Sequence, residues 1–124
     1  MDKFESDKKY LLDWFGKYCN GVRNARTREN ILPYVKMEDR HFRIVVSTLI
    51  HDGHIASSSK WGYWFIPLAT NDTVEIGALK YSIMERKSKA LAMIEDCHRQ
   101  LERIKDIELK RTQGQKELEF VDKE

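Results

Sequence analysis

The stretch HDGHIASSSKWGYWFIP, residues 51–67, places a polar run between two apolar ones. Gly53 ends a helical pattern, and residues 54–56 and 62–67 are rich in side chains that favour a pleated strand. Strict alternation puts Tyr63 and Phe65 on one face of the second strand, and Trp64 and Ile66 on the other. The stretch therefore predicts a two-stranded hairpin directly behind a helix. We expect Trp64 in the core and Trp61 exposed at the tip.

The helix before the hairpin is predicted over residues 40–51, with Asp39 as its cap. At about 100° per residue, its apolar side chains fall on one side: Phe42, Val45, Val46, Leu49 and Ile50. The opposite side carries Arg40, Arg43, Ile44, Ser47 and His51. Because the core side is already complete, the second side is available for a ligand.

Two further helices are predicted upstream of this one. Residues 6–18 form a helix capped by Ser6, with an apolar stripe of Tyr10, Leu11, Trp14, Phe15 and Tyr18. Residues 22–26 are short, polar and extended. Thr27 then caps a short helix over residues 28–35, which Pro33 kinks or ends because proline removes an amide donor.

A long helix follows the hairpin, from the cap at residues 71–73 to about Arg111. In its first half, which we expect to pack back on the domain, Ile76 and Ile83 lie seven residues apart. In the second half a heptad seam predicts pairing with a second copy through Ala90, Ile94, Cys97, Leu101 and Ile104. We thus predict a domain over residues 1–70, a helix over 71–111 and a frayed or disordered tail over 112–124.

The charge of the chain is small in total but uneven. The net charge is +2, yet residues 17–60 carry eight basic side chains against four acidic ones, with three histidines in addition. From residue 71 onward, eleven basic side chains face twelve acidic ones. The middle of the chain is therefore where an anionic partner is expected, although a solvated surface with chance asymmetry gives the same count.

Cysteine use and hydropathy indicate a cytoplasmic protein. Cys19 and Cys97 lie far apart and form no closely spaced pair, which suits a reducing compartment. The start of the chain lacks the apolar core of a signal peptide. No apolar run approaches the roughly 18 residues of a membrane span, so we expect no membrane partner.

Assembled in order, the middle of the chain reads helix, extended residue, short helix, tight turn, helix, hairpin. It resembles the winged helix-turn-helix domains of small phage-related and Gram-positive bacterial DNA-binding proteins. The likeness covers residues 24–70, under half the chain. It rests on NARTRENIL at 24–32, Asp39-Arg40, Leu49-Ile50, Asp52-Gly53, IASSSK at 55–60 and Gly62-Tyr63-Trp64. Trp61 at the wing tip and Pro33 in the first helix of the pair depart from the pattern.

The resemblance implies an α+β, mostly helical fold in which residues 40–51 enter the major groove of double-stranded DNA. Arg40 and Arg43 would then reach phosphates or guanines, Ser47 a base edge and Ile44 a thymine methyl, with His51 on the same face. Arg26, Thr27 and Arg28 would lie near a phosphate at the start of the first helix of the pair. The wing would add the hydroxyls of Ser58 and Ser59, the Lys60 ammonium and Trp61.

Each of these residues also has a purely structural interpretation. The arginines can solvate an exposed face, the serines can form a flexible turn, and His51 can favour a helix C-terminus. His51 and His54, with Cys97-His98 far downstream, lack the paired spacing of a zinc site, so no metal is expected. No catalytic motif or cofactor motif is present, so we expect neither an enzyme nor a cofactor.

The sequence leads to two functional hypotheses. The first is a homodimeric, sequence-specific double-stranded DNA-binding protein that regulates transcription or replication, of phage or prophage origin. The alternative is a winged-helix protein-interaction module that docks on a replication or transcription partner, using the long helix and Trp61. Dependence of binding on Arg40 and Arg43 separates the two.

Overall fold

A computed structural model describes residues 2–122 of the chain, and the side chains of residues 2–114. The fold is α+β and mostly helical, with one antiparallel hairpin and a long C-terminal helix, as the sequence predicts. The elements in chain order are α1 (Lys3–Tyr18), a 3₁₀ turn (Val22–Asn24), α2 (Arg28–Val35), α3 (Asp39–His51), β1 (Ile55–Ser58), β2 (Gly62–Phe65) and α4 (Thr73–Asp122). The prediction that residues 22–26 are extended is therefore wrong for residues 22–24, and the chain becomes extended only at Ala25.

The chain divides into two compact units, with the boundary after Glu85. Residues 73–85 of α4 therefore belong to the first unit together with α1, α2, α3 and the hairpin. This boundary lies beyond the predicted domain end at residue 70. The helix itself continues past Arg111, its predicted end, to Asp122, so the first part of the expected frayed tail is helical. The last two residues of that tail lie outside the described residues.

α1 begins three residues earlier than predicted. Asp2, rather than Ser6, caps it by accepting a hydrogen bond from the Glu5 amide at 2.8 Å. Of the five residues expected to form one apolar stripe, only Leu11 and Phe15 are buried. Tyr10 and Tyr18 are exposed and Trp14 is half-buried. The inward face of α1 is therefore narrower than its hydrophobic pattern indicates.

α2 has the predicted bounds and contains Pro33. Lys36 ends it in the left-handed conformation, at φ 52°. Because the helix ends two residues after Pro33, the hydrogen bond that the proline nitrogen cannot donate interrupts only a short helix. Thr27 stands at the cap position, but its hydroxyl makes no capping hydrogen bond. At α3 the cap position belongs to Glu38, and Asp39 is the first helical residue instead of the predicted cap.

The main core lies where α1, α2 and α3 meet one face of the hairpin. Its buried side chains include Leu11, Phe15, Ile31, Val35, Phe42, Val45, Val46, Leu49 and Ile55, and Tyr63 and Phe65 pack against them. A salt bridge at the rim joins α1 to the end of α3, with Lys8 Nζ 2.7 Å from Asp52 Oδ2. The hydrogen bond between these groups raises the pKa of Lys8 and lowers that of Asp52.

A second core lies on the other face of the hairpin. Ala56 and Trp64 are buried there with Val22 and with Ala78 of α4. The predicted alternation along β2 and the buried position of Trp64 are thus confirmed. The hairpin separates two apolar layers rather than projecting freely. The first half of α4 packs back on the domain as predicted, through Glu75, Ala78 and Ser82, whereas Ile76 and Ile83 are exposed.

The strands are shifted from their predicted bounds. β1 continues through Ser58, β2 ends at Phe65, and only residues 59–61 form the loop. Arg26, an extended residue outside the two strands, pairs with Tyr63 through two backbone hydrogen bonds of 3.0 and 2.9 Å. The paired backbones approach closely at Gly62, which has φ +93°. A Cβ at Gly62 would overlap the Arg26 carbonyl oxygen, so this close approach requires glycine.

Candidate nucleic-acid interface

The outward face of α3 carries the side chains that the sequence assigns to it. Phe42, Val45, Val46 and Leu49 are buried, whereas Arg40, Arg43, Ile44, Ser47 and His51 are exposed. The face therefore combines two guanidinium groups, a hydroxyl, an imidazole and one aliphatic side chain. This is a set of donors, acceptors and apolar surface that can contact phosphates and base edges.

The two arginines of this face have different surroundings. Arg40 makes no ion pair or hydrogen bond with any described residue, and its guanidinium is exposed to solvent. Arg43 Nη2 lies 3.1 Å from Asp39 Oδ2, one turn earlier on the same helix. Both partners are about half-exposed, and exposed ion pairs of this kind contribute roughly 0–1 kcal/mol. A phosphate can therefore displace Asp39 at small cost.

Asp39 also connects α3 with the start of α2. Arg28 Nε lies 3.2 Å from Asp39 Oδ1, and Arg28 Nη2 lies 3.8 Å from Glu29 Oε1. Arg28 was expected to face a phosphate, but here it is bound to carboxylates. Asp39 thus gathers Arg28 and Arg43 around one negative charge. The three side chains bring the N-termini of α2 and α3 together.

Arg26 takes a position that the sequence did not indicate. Its guanidinium carbon is 5.7 Å from the ring centroid of Trp14 and 5.7 Å from that of Tyr34. The side chain therefore lies against aromatic rings of α1 and α2, in cation–π geometry. Thr27, the next residue, is exposed, and its hydroxyl is available to a ligand.

The hairpin tip is packed against α4. Ser58 is buried and accepts a hydrogen bond from the Lys60 amide at 3.0 Å. Ser59 donates to the Glu85 carboxylate from its amide, at 2.9 Å, and from its hydroxyl. Both serines, expected to offer hydroxyls to DNA, are thus engaged within the chain. The Ser58 contact is local, of a kind that is common for short polar side chains in tight turns, whereas Ser59 reaches a residue of α4.

The two residues after these serines contact the same part of α4. Trp61 was expected to be exposed, but it is half-buried, with its ring centroid 5.4 Å from that of Tyr81 and 6.2 Å from that of Trp64. Lys60 Nζ lies 4.8 Å from the Trp61 ring centroid. Lys60 pairs with no carboxylate among the described residues. Its ammonium is therefore the one predicted group of the tip that keeps an exposed charge.

A cleft joins the tip to the start of α2. It is lined by residues of three segments, among them Arg26, Thr27, Asn30, Tyr34 and Trp61. Arg28, which follows Thr27 at this cleft, reaches α3 through its ion pair with Asp39. The N-terminus of α2 therefore contacts both α3 and the cleft beside the hairpin tip, whereas Ser58 and Ser59 are held within the chain.

Sequence analysis missed Glu75, a buried residue that joins α4 to the rest of the first unit. Its carboxylate is buried and accepts hydrogen bonds from the Val22 amide, at 2.7 Å, and from Trp64 Nε1, at 3.0 Å. Ser82 adds a hydrogen bond of 2.6 Å to the carbonyl of Ser57. These contacts fix α4 to the hairpin. A glutamate in the first turn of a helix usually signals only a favourable dipole interaction, so the sequence carries no sign of its burial.

The five predicted dimerisation residues lie in the second unit. All five residues are exposed in the single chain: Ala90, Ile94, Cys97, Leu101 and Ile104.

The two cysteines differ in burial, because Cys97 is exposed whereas Cys19 is fully buried. Burial raises the pKa of the Cys19 thiol, and the nearby Arg26 charge partly opposes this shift.

Among residues 2–114, no group of three or more His, Cys, Asp or Glu side chains could hold a metal ion. None of the described helices has the length and apolarity needed to cross a membrane. Comparison with protein-family models, with curated proteins and with solved structures gives no match for this chain.

Proposed function

We propose that this chain is a winged helix protein of the cytoplasm that binds double-stranded DNA in a sequence-specific way. In this proposal α3 is the recognition helix and the hairpin is the wing. The order of α1, the extended Arg26 paired with β2, α2, α3 and the hairpin supports this assignment. The protein would regulate transcription or replication, in a phage or prophage.

The observation that carries the proposal is the outward face of α3. Phe42, Val45, Val46 and Leu49 fill its inward face, so packing of the core does not require the exposed Arg40, Arg43 and Ser47. Arg40, without a partner among the described residues, is the side chain we assign to a base edge. Arg43, already near the negative charge of Asp39, is better suited to a phosphate, which would replace that carboxylate.

The wing has a smaller role than the sequence suggested. Ser58 and Ser59 are held within the chain, which leaves Lys60 as the charged contact to the backbone. At the start of α2, Thr27 and the amide groups of the first turn can hold a phosphate, together with Arg28 once it leaves Asp39. The contacts of the wing and of α2 would position the protein, and those of α3 would specify the sequence.

Selection of bound fragments from random duplex DNA, followed by fluorescence anisotropy over a range of salt concentrations, tests the proposal. We expect a defined sequence to be enriched and its affinity to fall steeply as salt rises. Arg40→Ala should lose about 1–3 kcal/mol at one base position, whereas Arg43→Ala should weaken binding to all sequences alike. Arg103→Ala, at an exposed arginine of α4, is the matched control and should bind as the parent does. Absence of binding at low salt would refute the proposal.

A further inference from the structure

A groove on α1 and α2 lies beside the cleft at the hairpin tip and shares Arg26 and Tyr34 with it. Tyr10, Trp14 and Tyr18 follow one another at four-residue spacing and form an aromatic ridge along α1. Tyr34 of α2 and the Arg26 side chain face this ridge across a groove of about 690 Å³. Asp13 and Lys17 complete the lining. The volume lies in the range of known ligand sites.

The tyrosines of this groove are unusually exposed for large rings. Tyr10, Tyr18 and Tyr34 expose 47%, 44% and 62% of their surface. They are not needed in the core, because Leu11 and Phe15 already fill the inward face of α1. Clustered aromatic side chains with an arginine are enriched at protein–protein interfaces, where they supply most of the binding free energy.

Arg26 is held in place but lacks a partner of opposite charge. The rings of Trp14 and Tyr34 fix its guanidinium, and no carboxylate pairs with it among the described residues. A guanidinium fixed in this way has lost much of its side-chain freedom before any ligand arrives. Its planar fork then matches a carboxylate, with which it can form two parallel hydrogen bonds.

The charges around the groove favour a single carboxylate over a chain of phosphates. Among the described residues that line it, only Lys17 and Arg26 are cationic, and Asp13 lies in the same wall. A nucleic acid needs a track of cations for its regularly spaced phosphates, and two cations are too few for such a track. An acidic side chain between apolar residues instead matches one guanidinium between aromatic rings.

We propose that this groove binds a peptide segment of a partner protein, in which an aspartate or glutamate is flanked by apolar residues. The acidic side chain pairs with Arg26. Its apolar neighbours pack on Tyr10, Trp14 and Tyr34. This binding does not rest on the DNA-binding function proposed above, because its contacts are made by α1, Arg26 and Tyr34 rather than by α3. Arg26 and Tyr34 also line the cleft beside the hairpin tip.

The proposal is tested by selecting, from a display library of random peptides, those that bind to the 124-residue chain. We expect enriched peptides to share an acidic residue with apolar neighbours. Synthetic copies of them should bind in fluorescence polarisation, and replacing the acidic residue by its amide should weaken binding about tenfold or more. Arg26→Gln and Tyr34→Ala should cause similar losses, whereas Arg40→Gln, the matched control on α3, should leave peptide binding unchanged.

Two further measurements make the outcome decisive. Tyr34 is largely exposed, so Tyr34→Ala remains informative even if circular dichroism shows that Arg26→Gln does not fold. Oligothymidylate serves as the competing probe, and we expect it not to bind at the groove. The proposal is overturned if no acidic motif is enriched, if the motif binds equally well to Tyr34→Ala, or if oligothymidylate binds in a way that depends on Tyr34.

Discussion

Asp39 is the residue that most limits the cationic character of the surface assigned to DNA. It is the first residue of α3, where a negative charge is favoured by the helix dipole. From there it pairs with Arg43 on its own helix and with Arg28 on α2. In the absence of DNA it holds both guanidinium groups at the surface. On binding, phosphates would compete with it for the same two groups.

Replacing Asp39 with asparagine should therefore strengthen DNA binding. The substitution keeps the size of the side chain but removes the charge that phosphates must displace. We expect affinity to rise roughly twofold to fivefold, because each exposed ion pair contributes about 0–1 kcal/mol. The dependence of affinity on salt should become steeper, since two more cations become available to phosphates. Anisotropy titrations at several salt concentrations measure both effects.

Glu29→Gln provides the matched control for this experiment. It removes only the longer contact, 3.8 Å from Arg28, and leaves Arg43 paired with Asp39. We expect its effect to be smaller than that of Asp39→Asn. Weaker DNA binding by Asp39→Asn would contradict the proposed competition. It would mean that Asp39 orients the arginines instead of masking them.

A second residue pair makes stability depend on pH. Asp52 has its pKa lowered by its hydrogen bond with Lys8, so its stabilising effect is complete above the ordinary carboxyl pKa. That effect is lost as pH falls through the lowered value in the folded state. Lys8, with a raised pKa, loses its part only as pH rises through that raised value. The pair therefore stabilises the folded state fully between the ordinary pKa of the carboxyl group and the ordinary pKa of the lysine amino group.

We therefore expect Asp52→Asn to be less stable than the parent at neutral pH and nearly equal to it in strong acid. Urea unfolding at a series of pH values measures the difference. Glu102→Gln, at an exposed carboxylate of α4, is the control and should follow the parent throughout. A difference for Asp52→Asn that stays constant down to strong acid would show that the Lys8 ion pair is not its cause.

At the scale of single elements, hydrophobic periodicity predicted the buried faces of α3 and β2, but only part of the buried face of α1 and not that of α4. It identified α1, but Tyr10 and Leu11 are neighbours in the same stripe, and only Leu11 reaches the core. On α4 the seven-residue spacing of apolar side chains ran through Ile76 and Ile83, which are exposed. The structure instead buries Glu75, whose carboxylate satisfies two donors from distant segments. Such long-range polar pairing leaves no periodic signal in a sequence.

The candidate site was predicted to a similar extent. The outward residues of α3 follow from helical geometry alone, so Arg40, Arg43, Ile44, Ser47 and His51 are where the sequence places them. The hairpin residues are not, because their positions depend on α4, which packs against the tip through Tyr81 and Glu85. The position of Arg26 likewise depends on rings from two other helices. Local spacing cannot report contacts of this kind.

Substitutions at Gly53, which precedes β1, and at Gly62, in β2, distinguish the cost of backbone strain from the cost of steric overlap. Gly53 and Gly62 both have positive φ, +85° and +93°. A Cβ at Gly53 would meet nothing within 4 Å, whereas at Gly62 it would lie 2.7 Å from the carbonyl carbon of Arg26. Gly53→Ala should thus cost about 1–2 kcal/mol from conformation alone. Gly62→Ala should cost distinctly more, because it also forces the Arg26 segment away from β2.

Urea unfolding of the two alanine variants measures these costs. We also expect Gly62→Ala, but not Gly53→Ala, to speed hydrogen exchange at the Arg26 and Tyr63 amides, which join the segment to the hairpin. Equal destabilisation by the two substitutions would contradict the close approach. It would leave positive φ as the only requirement for glycine at Gly62.

At the scale of the whole molecule, the basic excess of the middle segment is only partly available to a ligand. Arg23 pairs with Asp72 at 3.2 Å, and Arg28 and Arg43 pair with Asp39. The net charge of +2 therefore understates the basic excess of the middle segment. The count over residues 17–60 overstates the positive charge that a ligand can reach. Two copies acting together would double the cations presented to one DNA molecule, which makes dimerisation important for affinity.

The second unit offers a seam for this dimerisation. Ile94, Leu101 and Ile104 expose 51%, 53% and 49% of their surface and recur at the spacing of a coiled coil, with Ala90 and Cys97 between them. Residues 90–104 extend about 21 Å along the helix. We propose that a second copy covers this seam. A two-fold dimer would then bind inverted half-sites about one turn of DNA apart, or a multiple of that.

Charged substitutions in the full-length chain test the seam most directly. Truncation after residue 70 would also remove Glu75 and Ser82, which fix α4 to the hairpin, so loss of dimers could not be separated from loss of fold. We expect the parent to sediment as a dimer, and Ile94→Lys and Leu101→Lys as monomers. Leu109→Lys, at an exposed leucine about 100° away from the seam around the helix, should remain dimeric. The monomeric variants should bind one half-site with unchanged affinity but lose the gain in affinity from two half-sites. Seam variants that still sediment as dimers would place the interface elsewhere on the chain.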